Sequence, residues 1–465
     1  MSTQPLHVVV MAAGLGKRMK SALPKVVHPV LYRPLIHYVL DLAKAVGGSS
    51  VTVVVGHEEE TVRKACSAYP EVKFVRQQAQ RGTGDAVMAA EGELANKTGN
   101  VLVLSGDVIL LETATVKALL AAHAQAGASA TVAVAELADG KGYGRIVRSG
   151  KKLAGIREDA DCSPEEKKIR EVNSGLYCFD LKALFTALKS LDNKNTQGEF
   201  YLTDAVVKLA AVAGGVELFS LPDADEMLGI NDRQQLADVE KKLQTRINRK
   251  WMLEGVSMKA PESIWIDSHT TFEKDVSLEG PCVLRACTVK AGVVIEPGTR
   301  LTQCQLDKDV HVKQGTYAEA SELGEGTSVG PYAHLRPGSR LGKQVKIGNF
   351  VEIKKATFGD GAKASHLSYI GDAEIGRNVN LGCGFITCNY DGINKYQTVI
   401  EDDVFVGSDS QTVAPVKIGK GSYVASATTV TQDVPPDSLA ISRSKQVNKV
   451  GYATRLRSRQ ELKKK

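Results

Sequence analysis

Several features that would place this 465-residue chain in a special class are missing from it. No apolar run is long enough to cross a bilayer, and the N-terminus lacks a signal-peptide pattern, since it leads directly into a motif-bearing strand. The eight cysteines are scattered and form no Cys-x-x-Cys pair, which argues against a zinc site and a disulfide framework. These absences predict a cytoplasmic protein with reduced, mostly buried thiols and no membrane partner.

A positively charged surface for nucleic acid is also missing. The formal net charge is +6, but residues 455–465 contain six basic residues and one acidic residue, so the rest of the chain is nearly neutral. No zinc-finger or RNA-binding motif occurs, and we therefore expect no nucleic-acid partner. The basic tail itself is expected to be a solvated, disordered end.

A glycine-rich turn follows the first apolar run. His7–Val10 predicts a buried strand, and Met11–Met19 after it contains two glycines and Arg18, with Lys25 close behind. Glycines let the backbone approach a ligand, and a strand, a basic turn and a helix together can bind a polyphosphate. The turn lacks the Gly-Lys-Ser/Thr ending of a P-loop and the third glycine of the dinucleotide fingerprint. For Gly-x-Gly alone, a surface turn without a ligand is the alternative.

Strand and helix patterns alternate from residue 6 to about residue 230. Val51–Val55 and Val101–Leu104 are continuously apolar, as strands covered on both faces are, whereas Pro34–Val46 has a helical pattern. We predict an α/β Rossmann-like domain that binds a nucleotide over residues 1–230, with a mostly parallel sheet and ligands at the carboxyl ends of its strands; its nucleotidyltransferase activity is implied only by the resemblance given below. Asp107 follows a strand at such an end, where a carboxylate can hold Mg²⁺ beside substrate phosphates; a helix N-cap is the alternative.

The second half of the chain carries a six-residue repeat. Aliphatic residues recur at every sixth position from Leu323 to Ile353 and again from Ile400 to Val430, with Thr412 in one aliphatic position. This period predicts a left-handed parallel β-helix of hexapeptide repeats over residues 256–465. Residues 231–255 predict an amphipathic linker helix, and the last helix of the first domain is the alternative for this segment.

Two segments interrupt the repeat. One contains His366 and Tyr369, and the other is the loop Cys388–Lys395. Loops that leave a regular scaffold often carry function, so both are candidate sites. A hydrogen-bonded structural histidine is the alternative for His366, but the nearby Arg336 and Lys354 favour a phosphate-binding group.

The first half resembles the sugar-nucleotide pyrophosphorylases, and within them the uridylyltransferases that use N-acetylglucosamine 1-phosphate. The resemblance rests on Ala-Ala-Gly-x-Gly-x-Arg-Met followed by Pro-Lys, on Gly106-Asp107, and on the later glycine-rich turns. Ser105 departs from the Tyr or Ala that commonly precedes Gly-Asp in that family and is expected to affect only the pocket wall. It implies that a sugar phosphate attacks the α-phosphorus of UTP and that pyrophosphate leaves.

The resemblance also implies roles for individual residues. Arg18 and Lys25 are implied as catalytic residues that hold phosphates, and Mg²⁺ is implied on Asp107 and Asn231. An uncharged amide such as that of Gln77 suits a pyrimidine edge. The implied residues for UTP and the nucleotide sugar are Ala13, Gly14, Lys25, Gln77, Gly82, Thr83, Gly144, Glu158, Asn173 and Asn231.

Over nearly its whole length the chain resembles the bacterial bifunctional N-acetylglucosamine-1-phosphate uridylyltransferases and glucosamine-1-phosphate acetyltransferases. In that family the β-helix is an acetyl-CoA-dependent acyltransferase, and the chains form homotrimers with sites between subunits. His366 is implied as the base that deprotonates the 2-amino group, a role that imidazole can fill at cellular pH. The implied glucosamine-phosphate residues are Arg336, Lys354, Tyr369, Asn380 and Lys395. The implied acetyl-CoA residues are Cys383, Asn389, Tyr390, Ser408, Ser426 and Arg443. Ser408 is also expected to stabilise the oxyanion.

Departures from the family pattern flank the implied thioester pocket. The run Gly382–Phe385 reads Gly-Cys-Gly-Phe where Gly-Ala-Gly-Thr is usual, and Ser426 replaces alanine. Cys383 and Phe385 are therefore expected to narrow the pocket. One alternative is a pyrophosphorylase whose β-helix serves only trimerisation or regulation, and another is a non-catalytic nucleotide-sugar sensor. His366→Ala distinguishes the first alternative, and pyrophosphate release distinguishes the second.

Overall fold

The computed structural model describes residues 4–150 and 152–462. The chain divides into two compact units, Met1–Leu243 and Gln244–Lys465. The division falls inside the helix Arg233–Leu253, in the segment where the sequence predicts a linker helix. Among the described residues, no helix combines the length and the apolar character needed to span a membrane.

The first unit is an α/β fold around one sheet. Its main strands pair in the order Val216–Ser220, Ala130–Glu136, Glu171–Asp180, Asn100–Ser105, Leu6–Met11, Ser50–Val55 and Lys73–Arg76. Six of these seven strands point the same way, and Glu171–Asp180 runs antiparallel to its neighbours. A hairpin of Arg145–Ser149 and Lys152–Arg157 continues the sheet, and Pro29–Val30 pairs separately with Arg33–Pro34.

Burial explains the apolar runs of the central strands. Leu6–Met11 pairs in parallel with both Ser50–Val55 and Asn100–Ser105, and the middle residues of all three strands are buried. Helices cover the sheet because their apolar residues recur at three- and four-residue steps, as in Leu35–Ala45. The α-helices of this unit are Leu35–Ala45, Glu59–Ala65, Thr83–Met88, Glu91–Leu94, Thr113–Ala126, Leu181–Leu188 and Leu202–Leu209. Short 3₁₀ turns occupy Lys17–Met19, Lys25–Val27, Asp159–Asp161, Glu166–Lys168 and Ala224–Met227.

The second unit is a coil of short parallel strands. One sheet contains Ser257–Lys259, Ser277–Glu279, Val294–Ile295, His311–Val312, Ser328–Val329, Lys346–Asn349, Lys363–His366, Asn380–Leu381, Phe405–Val406, Tyr423–Val424 and Leu439–Ala440. The other contains Ile264–Ile266, Thr271–Phe272, Cys282–Arg285, Thr288–Val289, Arg300–Thr302, Gln305–Leu306, Tyr317–Glu319, Glu322–Leu323, His334–Leu335, Arg340–Leu341, Glu352–Phe358, Tyr369–Ile375, Ile386–Cys388, Thr398–Ile400, Gln411–Val413, Val416–Ile418 and Thr429–Val430.

The pairing register gives the size of each turn of this coil. Val294 pairs with His311 and His311 with Ser328, so these coils take 17 residues each, whereas Ser328 pairs with Lys346, so the next takes 18, which is three hexapeptides. From Asn380 to Phe405 the step lengthens to 25 residues, because the loop around Tyr390 leaves the coil between them. This parallel coil is consistent with the predicted left-handed β-helix.

The repeat positions fill the interior of the coil. The aliphatic residues from Leu323 to Ile353 that recur at six-residue steps are all buried. Thr412 is fully buried in an aliphatic position, where its hydroxyl lies 3.1 Å from that of Thr398 and is therefore satisfied. Six of the eight free thiols are buried, whereas Cys383 is half-buried and Cys388 is exposed.

The expectation of a disordered tail is wrong for the part that the structure describes. Tyr452–Leu462 is a helix, and its residues up to Gln460 are exposed. Alanine, leucine, arginine and glutamine have high helix propensities, which favours a helix in a segment that packs against little else. Residues 463–465 lie outside the described residues.

Candidate active sites

A cavity opens at the carboxyl ends of the central strands of the first unit. Its volume is about 390 Å³. Among the predicted nucleotide- and metal-binding residues, it is lined by Ala13, Gly14, Lys25, Gln77, Gly82, Thr83 and Asp107. The sheet brings these together because Leu6–Met11 and Asn100–Ser105 are adjacent and parallel, so the loops after them share one edge.

Lys25 lies between the two predicted metal ligands. Its ammonium is 2.5 Å from Asp107 Oδ2 and 3.2 Å from Asn231 Oδ1. Among the described residues, no three His, Cys, Asp or Glu side chains form a metal cluster, so a metal here would depend on this carboxylate, this amide and ligand phosphates. Two side-chain oxygens that already converge on one cation fit Mg²⁺, which prefers oxygen ligands.

The glycine-rich turn fixes the position of Lys25 more clearly than that of Arg18. Gly16 has a left-handed φ of 56°, and a Cβ on it would lie 3.0 Å from the Cβ of Lys25. The turn therefore packs directly against the lysine. Arg18 is exposed and does not line the cavity, because the short turn Lys17–Met19 buries Met19 and leaves Arg18 in solvent. Its role in holding phosphates stays a prediction.

The amide of Gln77 is oriented by its neighbours. Its nitrogen donates to Asp85 Oδ2 at 2.8 Å and to the carbonyl of Gly82 at 3.2 Å. Asp85 is held in turn by Arg81, whose guanidinium is 2.7 Å from the other carboxylate oxygen. Because the amide hydrogens are used, the carbonyl oxygen of Gln77 is the group left for a ligand in the cavity.

The predicted sugar-binding residues form a second group, outside the lining of this cavity. The backbone amide of Asn173 donates to the carbonyl of Gly144 at 2.8 Å, and a Cβ on Gly144 would lie 3.5 Å from Glu158 Oε2. Thr203 Oγ1 donates to Glu158 at 2.8 Å. Burial, reinforced by Asp204 and other carboxylates nearby, raises the pKa of Glu158. The three residues can offer a carboxylate, an amide and a carbonyl to hydroxyl groups.

Ser105, singled out in the sequence next to Gly106-Asp107, lines the cavity. Sequence reasoning missed two polar residues of the lining, Gln80 and Glu199. Gln80 donates through its side-chain amide to the carbonyl of Ala13, so it connects two loops of the site. Gln80 lies within the predicted glycine-rich segment and was identifiable from it, whereas no sequence signal connects Glu199 to the site.

In the second unit, His366 stands at a corner of the coil. Asn349 is its register partner in the preceding coil, and Asn349 Oδ1 accepts a hydrogen bond from His366 Nδ1 at 3.0 Å. Because an amide oxygen can only accept, Nδ1 carries the hydrogen and Nε2 carries the lone pair. Sequence reasoning missed Asn349, whose contact depends on the strand register.

The same corner continues along the coil through predicted acetyl-CoA residues. The backbone amide of Gly384, next to Cys383, donates to the carbonyl of His366 at 3.4 Å. On the next two coils, the amide of Asp409 donates to the carbonyl of Cys383 at 2.7 Å, and the amide of Ala427 donates to the carbonyl of Ser408 at 2.9 Å. Arg443 Nη1 donates to the carbonyl of Ser426 at 2.7 Å. The structure thus places these predicted residues in one row.

The coil face that starts at the His366 corner has a second edge on the opposite side. Most of the predicted glucosamine-phosphate residues lie at that second edge. Arg336, Lys354 and Gly371 hold equivalent positions on successive coils. Lys354 Nζ is 3.2 Å from Asp372, and Lys395 approaches Lys354. The Lys354 ammonium lowers the pKa of Lys395, because two cations repel each other.

Tyr369 and Asn389 cover the same edge. A Cβ on Gly371 would lie 2.5 Å from the hydroxyl of Tyr369 and 2.8 Å from the amide nitrogen of Asn389. Asn389 also donates to Asp372. The neighbouring Tyr390 is exposed, and its hydroxyl donates to the carbonyl of Gly392. Sequence reasoning missed Asp372.

Asn380 lies apart from the other predicted sugar-phosphate residues. It pairs in register with Lys363 and Phe405, in the sheet that contains the strand of His366. The structure therefore does not bring Asn380 to Lys354 within one chain.

The expectation that Phe385 narrows the thioester pocket is wrong. Phe385 is fully buried, and it belongs to the core cluster of the coil. The backbone carbonyl of Phe385 accepts a hydrogen bond from the amide of Tyr369 on the preceding coil. The side chain of Phe385 points into the interior of the coil. Cys383 is half-buried in the row of His366, so its effect on the pocket stays a prediction.

Comparison with known proteins identifies the family. Residues 8–196 match the family described as MobA-like NTP transferase domain. The chain is 46% identical over 454 residues to the Bifunctional protein GlmU of Pelobacter propionicus, covering 97% of this chain and 98% of that protein. It is 45% identical to the same-named protein of Geobacter sulfurreducens, covering 97% and 99%. For that of Halalkalibacterium halodurans the identity is 45%, covering 96% and 98%.

This chain belongs to the GlmU family. The predicted fold class is confirmed, with a Rossmann-like nucleotidyltransferase domain followed by a coil consistent with a left-handed β-helix. The predicted activity and enzyme class are confirmed as well: the chain is a bifunctional nucleotidyltransferase and acetyltransferase. The monofunctional alternative and the sensor alternative are therefore set aside.

Proposed function

We propose that the two activities of the GlmU family reside in separate halves of this chain. UMP transfer from UTP to N-acetylglucosamine 1-phosphate takes place in the cavity of the first unit, and acetyl transfer from acetyl-CoA to glucosamine 1-phosphate takes place on the coil. The observation that carries this proposal is that Lys25 and Asp107 line one cavity of the first unit, where the Lys25 ammonium contacts both Asp107 and Asn231. We further place the enzyme in the cytoplasm, which agrees with its free, mostly buried thiols.

In the uridylyl transfer, the chain binds and aligns the phosphates. Asp107 and Asn231 would hold Mg²⁺, which would supply positive charge beside the phosphates. Lys25 donates to the phosphate oxygens, and the carbonyl oxygen of Gln77 accepts from the uracil ring N–H. The sugar phosphate oxygen attacks the α-phosphorus and pyrophosphate leaves, so the protein contributes alignment and charge rather than a covalent step.

In the acetyl transfer, His366 acts as the base. Its Nε2 takes a proton from the 2-amino group, the amine attacks the thioester carbonyl, and the CoA thiolate leaves. Ser408, in the same row, stabilises the negative charge on the carbonyl oxygen. Lys354, Lys395 and Arg336 bind the sugar phosphate at the other edge of the face.

We propose a homotrimer because one chain separates these groups. His366 ends the strand Lys363–His366, and Gly371, the register partner of Lys354, lies in the next strand Tyr369–Ile375, beyond a corner where Leu367 has a left-handed φ of 44°. We infer that one amino-sugar phosphate does not reach both edges within a chain, so a neighbouring chain supplies one of them. Phe350 and Leu367, next to Asn349 and His366, are more than half exposed and offer an apolar surface for that neighbour.

Separate loss of the two activities tests the proposal. Lys25→Ala is expected to slow UMP transfer about 10²- to 10³-fold and to leave acetyl transfer unchanged. His366→Ala is expected to have the opposite pattern. Pyrophosphate release and CoA release are measured separately in the full-length chain. Equal loss of both activities in either variant would contradict the assignment of the sites.

A further inference from the structure

One carboxylate links the two predicted subsites of the acetyltransferase. Lys354 Nζ is 3.2 Å from Asp372 Oδ2, and Asn389 Nδ2 donates to that same oxygen. Lys354 belongs to the predicted sugar-phosphate group, whereas Asn389 belongs to the predicted acetyl-CoA group. The contact with Asn389 connects a coil residue to the loop that leaves the coil.

The surroundings of Asp372 restrict these side chains. The side chains of Asp372 and Lys354 are 19% and 11% exposed, and Asn389 is 7% exposed. Asp372 has a left-handed φ of 47°, a conformation that aspartate and asparagine tolerate better than most residues. Gly371 beside it leaves the room that Tyr369 and Asn389 occupy.

The charges favour this arrangement before any ligand binds. Lys354 and Lys395 approach each other, and Asp372 is the carboxylate that pairs with Lys354. Without that carboxylate the two ammonium groups would repel each other, and Lys354 would lose the hydrogen bond that orients it. The amide of Asn389 would lose its acceptor at the same time.

We propose that Asp372 is a positioning residue that holds one residue of each substrate subsite. This inference rests on the proposed function of the coil. Asp372 acts through Lys354 and Asn389 and does not itself touch the reacting atoms. Its loss should therefore weaken the binding of both substrates together, whereas loss of either partner should weaken the binding of one.

Steady-state kinetics of acetyl transfer tests this. Asp372→Asn keeps the shape and the backbone conformation and removes the charge. It is expected to raise KM for glucosamine 1-phosphate and KM for acetyl-CoA, each on the order of tenfold, with a smaller change in kcat. Lys354→Ala is expected to raise only the first KM, and Asn389→Ala only the second.

Double variants and a matched control complete the experiment. Adding Asp372→Asn to Lys354→Ala should raise KM for glucosamine 1-phosphate no further, since the residue it positions is already absent. Asp309→Asn is the control, because Asp309 is an exposed aspartate with a similar φ of 58° on a distant coil, and it should change neither KM. UMP transfer and Tm report whether each variant is folded.

The outcomes separate the two levels of the proposal. If Lys354→Ala and Asn389→Ala each raise one KM while Asp372→Asn raises one or neither, the positioning role is wrong and the proposed site stands. If Lys354→Ala and Asn389→Ala change neither KM, the proposed site and this inference both fail. The inference is supported if the single variant Asp372→Asn raises both KM values, each partner variant raises only one, and Tm and UMP transfer of Asp372→Asn are normal.

Discussion

At the scale of single residues, the tautomer of the proposed base is set by one neighbour. Asn349 Oδ1 accepts from His366 Nδ1, which directs the lone pair of Nε2 away from the coil. An amide can orient the ring without adding charge, whereas a carboxylate would also stabilise the imidazolium form.

Substitution of Asn349 should therefore change kcat and its pH dependence. Asn349→Ala is expected to lower kcat of acetyl transfer about tenfold with little change in either KM, because the ring loses its orientation. Asn349→Asp is expected to move the acidic limb of the pH profile to higher pH. Acetyl transfer measured across pH tests both, with UMP transfer as the folding control. An unchanged profile in Asn349→Asp would contradict this role.

The half-buried Glu158 should make stability depend on pH. Burial raises its pKa in the folded state, so the charged form costs stability once pH rises through that raised value. Glu158→Gln cannot ionise and can still accept from Thr203. Its Tm relative to the wild type is expected to increase as pH rises above the ordinary pKa of a glutamate, as measured by thermal unfolding. A Tm difference that stays constant with pH would show that ionisation of Glu158 does not matter.

Residues that belong to local motifs could be predicted from the sequence. Residues that reach the site only because neighbouring coils pair in a particular register were missed. Lys25 and Asp107 were predicted from a glycine-rich turn and a strand end, and they meet in the structure. Asn349 lies 17 residues before His366, and Asp372 lies 17 residues before Asn389. Those separations become contacts only after the coil is wound, and one sequence carries no signal that selects these polar residues from the others in the repeat.

At the scale of elements, turns and repeats could be predicted because each depends on local geometry. The six-residue period gives an aliphatic interior, and three such units give the 18-residue coil step that joins Leu323 to Leu341 and Leu335 to Ile353. The inward position of Phe385 could not be predicted in the same way, because the segment around it departs from the six-residue period. The helix Tyr452–Leu462 was missed because its charge suggested disorder, whereas its residues have high helix propensity.

The turn before Thr83–Met88 should tolerate no side chain at Gly82. Gly82 has a φ of 106°, and a Cβ there would lie 2.7 Å from the carbonyl oxygen of Phe200. Gly82→Ala is expected to lower the free energy of unfolding by about 1–3 kcal/mol and to weaken UTP binding, since Gly82 lines the cavity.

Gly92 provides the matched control for this substitution. It lies in the helix Glu91–Leu94, is exposed, and a Cβ on it would meet nothing within 4 Å. Gly92→Ala is expected to raise the free energy of unfolding by about 0.4–1 kcal/mol and to leave UTP binding unchanged. Denaturant unfolding and UTP titration of both variants measure the contrast. Equal destabilisation by the two substitutions would contradict the steric argument.

At the scale of the whole molecule, the proposed trimer makes a specific demand on its sites. One face of the coil carries His366 at one edge and Lys354 at the other, and a complete site would take each from a different chain. Two variants that each lack one of these groups, and are therefore slow in acetyl transfer at low glucosamine 1-phosphate, should complement each other when they assemble together.

Mixed trimers of His366→Ala and Lys354→Ala test this demand. Each variant alone lacks one required group in every site. In randomly mixed trimers at equal amounts, about a quarter of the sites should combine an intact His366 from one chain with an intact Lys354 from another. At a glucosamine 1-phosphate concentration well below the raised KM of Lys354→Ala, acetyl transfer should then recover to about a quarter of the wild-type rate, whereas separately assembled trimers mixed afterwards should stay at the low rates of the single variants. A site built within one chain cannot recover activity in this way. If verified mixed trimers show no recovery of acetyl transfer, both edges of each site lie on the same chain.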